Sequence, residues 1–220
     1  MAVMPYIDQA SVACGGHAGD QHSMAKCVAL AAEHRVSVGA HPSYPDRANF
    51  GRRSMDMSAQ KLEDALNQQV NALRNVASGG GVELSYIKAH GALYNESNRN
   101  MERFKSLLVV AREQRLPLMV QALPNNHERV GLALAADVEL IREGFADRAY
   151  LLDGRLKPRT QPGAVLNADD AFSQALSLIT SKPIRTDSGL DILLHIDSLC
   201  VHGDTPEAVT LIRRLRHVLN

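Results

Sequence analysis

Four apolar runs in this chain end on a histidine: Val12-Ala13-Cys14-Gly15-Gly16-His17, Val36-Ser37-Val38-Gly39-Ala40-His41, Leu84-Ser85-Tyr86-Ile87-Lys88-Ala89-His90 and Leu199-Cys200-Val201-His202. Apolar chain running straight into titratable groups is the pattern of a buried strand whose carboxyl end feeds a site. Four such endings are more than random placement of nine histidines in 220 residues would give. Imidazole moves a proton near neutral pH, so the pattern points to chemistry.

The third run is the most informative. Lys88 and His90 stand two residues apart at a strand end, so their side chains share a face. A lysine there is an anion clamp or a perturbed base, and the histidine beside it a proton carrier. Tyr94 and Asn95 follow across the turn at Gly91. His17 and Asp20 flank Gly19 at a strand-to-helix turn, where helix N–H groups can meet an anion and Gly15-Gly16 would admit a ligand to the backbone. The plainer alternative is that Asp20 caps the helix and His17 packs. His41 precedes Pro42, which keeps His41 extended. Histidines from neighbouring strand ends could share a metal with a carboxylate, although no His-x-x-x-His or His-Glu-x-x-His spacing occurs. Asp147-Arg148 is either a salt-bridged pair or a carboxylate and guanidinium aimed at a substrate. Arg52-Arg53 either closes over phosphate or is a solvated charge pair. His202-Gly203-Asp204 ends the last strand, and Asp204 is also placed to cap the last helix. Cys14 and Cys200 lie inside strands and read as small buried hydrophobes rather than nucleophiles.

The elements that must position these groups follow from periodicity. Strands are predicted at 11–15, 36–40, 84–88, 118–123, 138–141, 192–196 and 198–201. A helix is predicted after Asp20, and a longer one after Ser58 with Leu62, Leu66, Val70, Leu73 and Ala77 on its apolar face. Others are predicted at about 102–114 and 128–136, after Asp169, and from Thr205-Pro206-Glu207 onward. The polar stretch between His41 and Met57 is long enough for a functional lid, and 151–165, rich in proline and glycine, reads as irregular. Strands alternating with helices argue for a mainly parallel sheet with helices outside. Without a glycine-rich dinucleotide fingerprint, and with polar residues at many strand ends, the expected fold class is α/β, a β/α barrel, in one domain spanning 1–220.

Composition narrows the function. Formal net charge is zero and aromatic content is 4%, with no tryptophan, so there is no electrostatic case for nucleic acid or an anionic membrane surface, and no platform for base stacking. No apolar run approaches the roughly 18 residues of a membrane span. Three cysteines without Cys-x-x-Cys spacing point to a reduced, cytoplasmic compartment.

Six stretches together, Ala13-Cys14-Gly15-Gly16-His17-Ala18-Gly19-Asp20, Gly39-Ala40-His41-Pro42-Ser43-Tyr44-Pro45-Asp46, Phe50-Gly51-Arg52-Arg53, Lys88-Ala89-His90-Gly91-Ala92-Leu93-Tyr94-Asn95, Phe145-Ala146-Asp147-Arg148 and Cys200-Val201-His202-Gly203-Asp204, closely resemble the LamB/YcsF family over essentially the whole chain. The resemblance implies a seven-stranded β/α barrel like that of polysaccharide deacetylases. It also implies the role of the A-type component of the prokaryotic ATP-dependent 5-oxoprolinase, which opens the lactam of 5-oxoproline to glutamate with B and C partner subunits. ATP, with a divalent ion such as Mg2+ beside it, would be the cofactor, although no Walker-type loop is present. On this view Lys88, His90, His17, Asp20 and Asp147 are the catalytic candidates. His41, Arg52, Tyr94, Asn95, Arg148, His202 and Asp204 would bind substrate or phosphate. Two departures from the family pattern stand out. Ala89 replaces the usual proline, and the front strand with its Asn-x-Asp-x-Gly-Glu motif is missing ahead of Met4. The second leads one to expect weak or no activity from this form, and ladder edges through which copies of the chain could pair. Two other functions compete: a metal-dependent deacetylase or amidohydrolase, and a non-catalytic substrate-binding subunit.

Overall fold

A computed structural model describes residues 3–203 and 207–219. The described residues gather into two compact units, one built from Asp8–Val120 and Glu128–Leu140, the other from 3–7, Gln121–His127 and the described residues from Ile141 on.

In the first unit, strands β1 (Gln9–Ala13), β2 (Ser37–His41), β3 (Leu84–Lys88) and β4 (Leu118–Gln121) pair in sequence order and in parallel. Helix α1 (Gln21–His34) returns the chain from β1 to β2. Asp20 starts it, its carboxylate accepting from Ser23 N while Ser23 Oγ accepts from Asp20 N, a capping box that satisfies two otherwise orphan donors. Helix α2 (Ala59–Gly79) starts at Ser58 and buries Leu62, Leu66, Val70 and Leu73 completely. Each such side chain contributes roughly 1.5–3 kcal/mol. Tyr86 lies flat against Gly39 of the neighbouring strand, where a Cβ would stand 2.1 Å from the ring, so only glycine permits that approach. Beyond β3 the chain turns at once into α3 (Gly91–Ser97), then α4 (Met101–Gln114), and after β4 into α5 (His127–Ala135). The sequence pattern shows α3 only as a turn, because its seven residues are too few to display a helical period.

In the second unit, β5 (Leu140–Phe145) leads to α6 (Ala168–Ile179), a two-residue antiparallel hairpin of β6 (Ile184–Arg185) and β7 (Asp191–Ile192), then β8 (Ser198–Cys200), which pairs in parallel with β5, and α7 (Ala208–Leu219). Ala146, Ala171, Ala175, Leu211 and Leu215 form its core cluster.

Three expectations are corrected here. The strand predicted at 138–141 runs instead to Phe145, because its two charged residues are accommodated. Arg142 forms a fork to the Asp197 carboxylate, at 2.6 and 2.8 Å, and Glu143 is buried. The cap of α6 is Asn167, whose side chain accepts from Asp169 N and Asp170 N; Asp169 instead adds negative charge to the first turn. Of the strand predicted at 192–196 only Ile192 is extended in a ladder, as the end of β7, which pairs antiparallel with β6. The expected helix start at Thr205-Pro206 lies outside the described residues.

Candidate functional site

In the first unit, the ends of β1, β2 and β3 bring His17, His41 and His90 together, each offering a ring nitrogen within 4.8 Å of the others. His17 lies four residues past β1, His41 is the last residue of β2, and His90 directly precedes α3. The His17 and His90 rings stack at 3.7 Å, and His41 stands edge-on to both. His41 Nδ1 lies 2.7 Å from the Lys88 carbonyl oxygen. His41 Nε2 lies 3.0 Å from His90 Nδ1, and His90 Nε2 3.0 Å from the Phe50 carbonyl oxygen.

The segment expected as a lid is a fixed wall of this cluster. Arg47 donates to the carbonyls of Gly15 and Gly19, and the buried Gln69 amide brackets both polar groups of Ser43's backbone. Tyr44 OH donates to Glu96 at 2.5 Å, and Ala92 N donates to Gly51 O. Gly91 has φ +61° and a Cβ there would stand 2.4 Å from Gly51 O. That close backbone approach holds Phe50 edge-on to the His17 and His90 rings.

The cluster sits among cations. Lys88 is 9% exposed, with its ammonium 5.9 Å from the centre of the Tyr94 ring. Arg52 lies over the Phe50 ring at 5.1 Å. Burial pushes His17 down to about 3, helped by His90, Arg47 and Arg52. Burial holds His41 well below the usual imidazole range as well, with Lys88 and His90 adding to it. Cys14, buried beside them, has its thiol pushed up to about 12 by burial, which fits a packing role.

In the second unit the loop after β5 and the residues after β8 make a different arrangement. Asp147, 3% exposed, accepts from His202 Nδ1 at 2.9 and 3.1 Å through its two oxygens, and from His202 N at 3.1 Å. A carboxylate on Nδ1 keeps the proton there and leaves the lone pair on Nε2. Gln174 fixes the loop by donating to the carbonyls of Phe145, Ala146 and Arg148, and Phe145 stacks on the His202 ring.

Of the sequence candidates, His17, His41, His90 and Lys88 meet in the first unit, with Arg52 and Tyr94 at their edge, and Asp147 meets His202 in the second. Asp20 is an exposed helix cap, and Asn95 is exposed on α3. Arg148 is neither paired to Asp147 nor aimed outward. It donates to the carbonyls of Ala164 and Lys157 and so clamps the 157–165 loop. Asp204 lies outside the described residues. Sequence reasoning missed the Phe50 carbonyl and the Gln69 and Gln174 amides, which act through backbone contacts that residue type does not signal.

An α/β chain that delivers histidines at the carboxyl ends of parallel strands belongs to the β/α-barrel class expected of it. The LamB/YcsF family model matches residues 1–220, and the chain belongs to that family. It is 44% identical over 219 residues to a Vibrio cholerae protein named as the A component of 5-oxoprolinase, covering 99% of this chain and 89% of that one. It is also 44% identical over 220 residues to a Pseudomonas aeruginosa protein named as a 5-oxoprolinase A component, the one numbered 3, covering 99% and 88%. Among solved structures, the lactam utilization protein of Thermus thermophilus superposes with a TM-score of 0.89 at 32% identity, over 99% of this chain and 87% of that one.

Proposed function

We propose that this chain is the A-type component of an ATP-dependent 5-oxoprolinase, which opens the lactam of 5-oxoproline to L-glutamate together with subunits of the B and C type. The observation that carries the reading is the near full-length likeness, at 44% identity, to proteins named as the A component of 5-oxoprolinase. No described helix is long and apolar enough to cross a membrane, and the proposed setting is the cytoplasm.

The chemistry suits the residues. A lactam is a resonance-stabilised amide, and phosphorylation of its oxygen by ATP, releasing ADP, makes the ring carbon electrophilic to water. Expulsion of the ring nitrogen then leaves an acyl phosphate, which a second water hydrolyses to glutamate and phosphate. Lys88 and Arg52 supply positive charge for phosphate or a developing oxyanion. Within the second unit, His202, held by Asp147 with its lone pair on Nε2, is built to take up a proton and give it back. Asp147 is then a positioning residue that also stabilises the imidazolium while it lasts.

A second reading, a metal-dependent amide hydrolase, is favoured by the three-histidine cluster. The deciding experiment measures glutamate release from 5-oxoproline with and without ATP, using this chain and its two partner subunits. Glutamate that appears only with ATP and all three chains is the expected result. ATP-independent, chelator-sensitive hydrolysis would overturn the reading in favour of the second. Tight 5-oxoproline binding without turnover would make this chain a binding subunit.

A further inference from the structure

The hydrogen-bond chain through His41 and His90 is one proton short. The Lys88 carbonyl can only accept, so His41 Nδ1, 2.7 Å away, carries a hydrogen and Nε2 carries a lone pair. The Phe50 carbonyl likewise places a hydrogen on His90 Nε2 and a lone pair on Nδ1. These two lone pairs face each other at 3.0 Å. Three contacts need three protons, and two neutral imidazoles carry two. The contact is repulsive unless something positive lies between the nitrogens.

A third imidazole borders the same space. His17 is 5% exposed, and its Nδ1 is buried without a hydrogen-bond partner. An unpartnered buried nitrogen is destabilising unless something else satisfies it. One added proton would satisfy only the His41–His90 contact and leave the buried His17 Nδ1 without a partner. A metal ion answers all three nitrogens at once. The outward ring nitrogens of His41 and His90 already rest on backbone carbonyls, the support that metal-binding imidazoles ordinarily have.

We propose that His17, His41 and His90 form a three-nitrogen site for a divalent transition-metal ion of the zinc class, with the fourth position open to water or an anionic ligand. The donor set selects the metal. All three ligands are neutral imidazoles and the cluster contains no carboxylate among the described residues, which suits zinc, nickel or copper and not magnesium or calcium. Lys88 and Arg52 then serve the anion that completes the coordination. Binding requires two adjustments. The His41–His90 nitrogen separation opens from 3.0 Å to about 3.3 Å, the tetrahedral spacing for zinc–nitrogen bonds. The His17 ring turns off the His90 face, because two parallel rings cannot both aim a lone pair at one ion. The site stands independently of the lactam reading, since its readouts require no turnover.

The test titrates Co2+ and Zn2+ into chelator-stripped full chain, following cobalt absorption, metal content by mass spectrometry and thermal unfolding. One tightly held ion per chain is expected, with tetrahedral cobalt bands, a raised Tm with zinc and no competition from excess Mg2+. His17→Gln, His41→Gln and His90→Gln each lower affinity by more than about tenfold, while exposed His195→Gln leaves it unchanged. Should a variant fail to fold, imidazole NMR of the unmutated chain decides. Zinc is expected to shift the His90 Nδ1 and His17 resonances, with no proton on His90 Nδ1. Absence of a stoichiometric ion, undiminished binding in the histidine variants, or a proton retained on His90 Nδ1 in saturating zinc would each overturn the proposal.

Discussion

His202 and the group of His17, His41 and His90 all follow parallel strands, yet their surroundings are opposite. In the second unit one histidine rests on a buried carboxylate, which fixes its tautomer and would compensate a charge on the ring. In the first unit His41 and His90 rest on carbonyls and on each other and His17 stacks on His90, with Lys88, Arg47 and Arg52 as charged neighbours. The first arrangement suits a ring that gains and loses a proton during a reaction. The second suits rings kept neutral, as metal ligands and as donors to an anion must be. Residue type alone does not assign a role; the charge on the partner does.

The comparison breaks most sharply at Asp147. Asp147→Asn or His202→Gln is expected to lower kcat for the proposed ATP-dependent 5-oxoproline hydrolysis by on the order of 10²–10⁴-fold, with little change in KM. A large rise in KM at unchanged kcat would make the pair a binding element instead. Next in size is Gly91→Ala, which drives a Cβ into Gly51 O at positive φ. Backbone strain of about 1–3 kcal/mol is expected to lower Tm and release Phe50 from the histidines, detected as faster hydrogen exchange at Ala92 N–H.

The pH dependence of stability in chelator-stripped protein sharpens the same contrast. His17 is depressed from 6.5 to about 3 in the folded chain, so above pH 6.5 neither folded nor unfolded chain binds its proton. Below that the unfolded chain takes up protons that the folded array refuses, and stability falls with acidification until folded His17 titrates near 3. His17→Gln is expected to flatten the acid limb of a Tm-against-pH profile. An unchanged acid limb would place the depressed group elsewhere. The smallest effect is expected at Asp20→Ala, which removes the capping box and lowers Tm slightly, with kcat/KM unchanged.

Much of this was legible in the sequence. The lead-ins to His41 and His90 marked two buried strands because parallel strands covered on both faces read as continuous apolar runs. The helical face from Leu62 to Ala77 declared itself by period. What stayed hidden was pairing that ignores period. Arg142 and Glu143 read as a strand end until Asp197 supplied the fork. Asp147-Arg148 read as one functional pair, but adjacent residues point apart, Asp147 to His202 and Arg148 to the 157–165 loop. The three-histidine cluster was signalled by its strand-ending positions and not by a spacing motif, since its members are 24 and 49 residues apart and meet only through strand order.

The most direct test of this contrast is a long-range nitrogen–proton imidazole spectrum of the chelator-stripped chain, compared with Asp147→Asn. The expected spectrum has His202 with its proton on Nδ1, lost or redistributed in the variant, and His41 with its proton on Nδ1 and neutral in both. His202 protonated on Nε2, or untouched by Asp147→Asn, would contradict it.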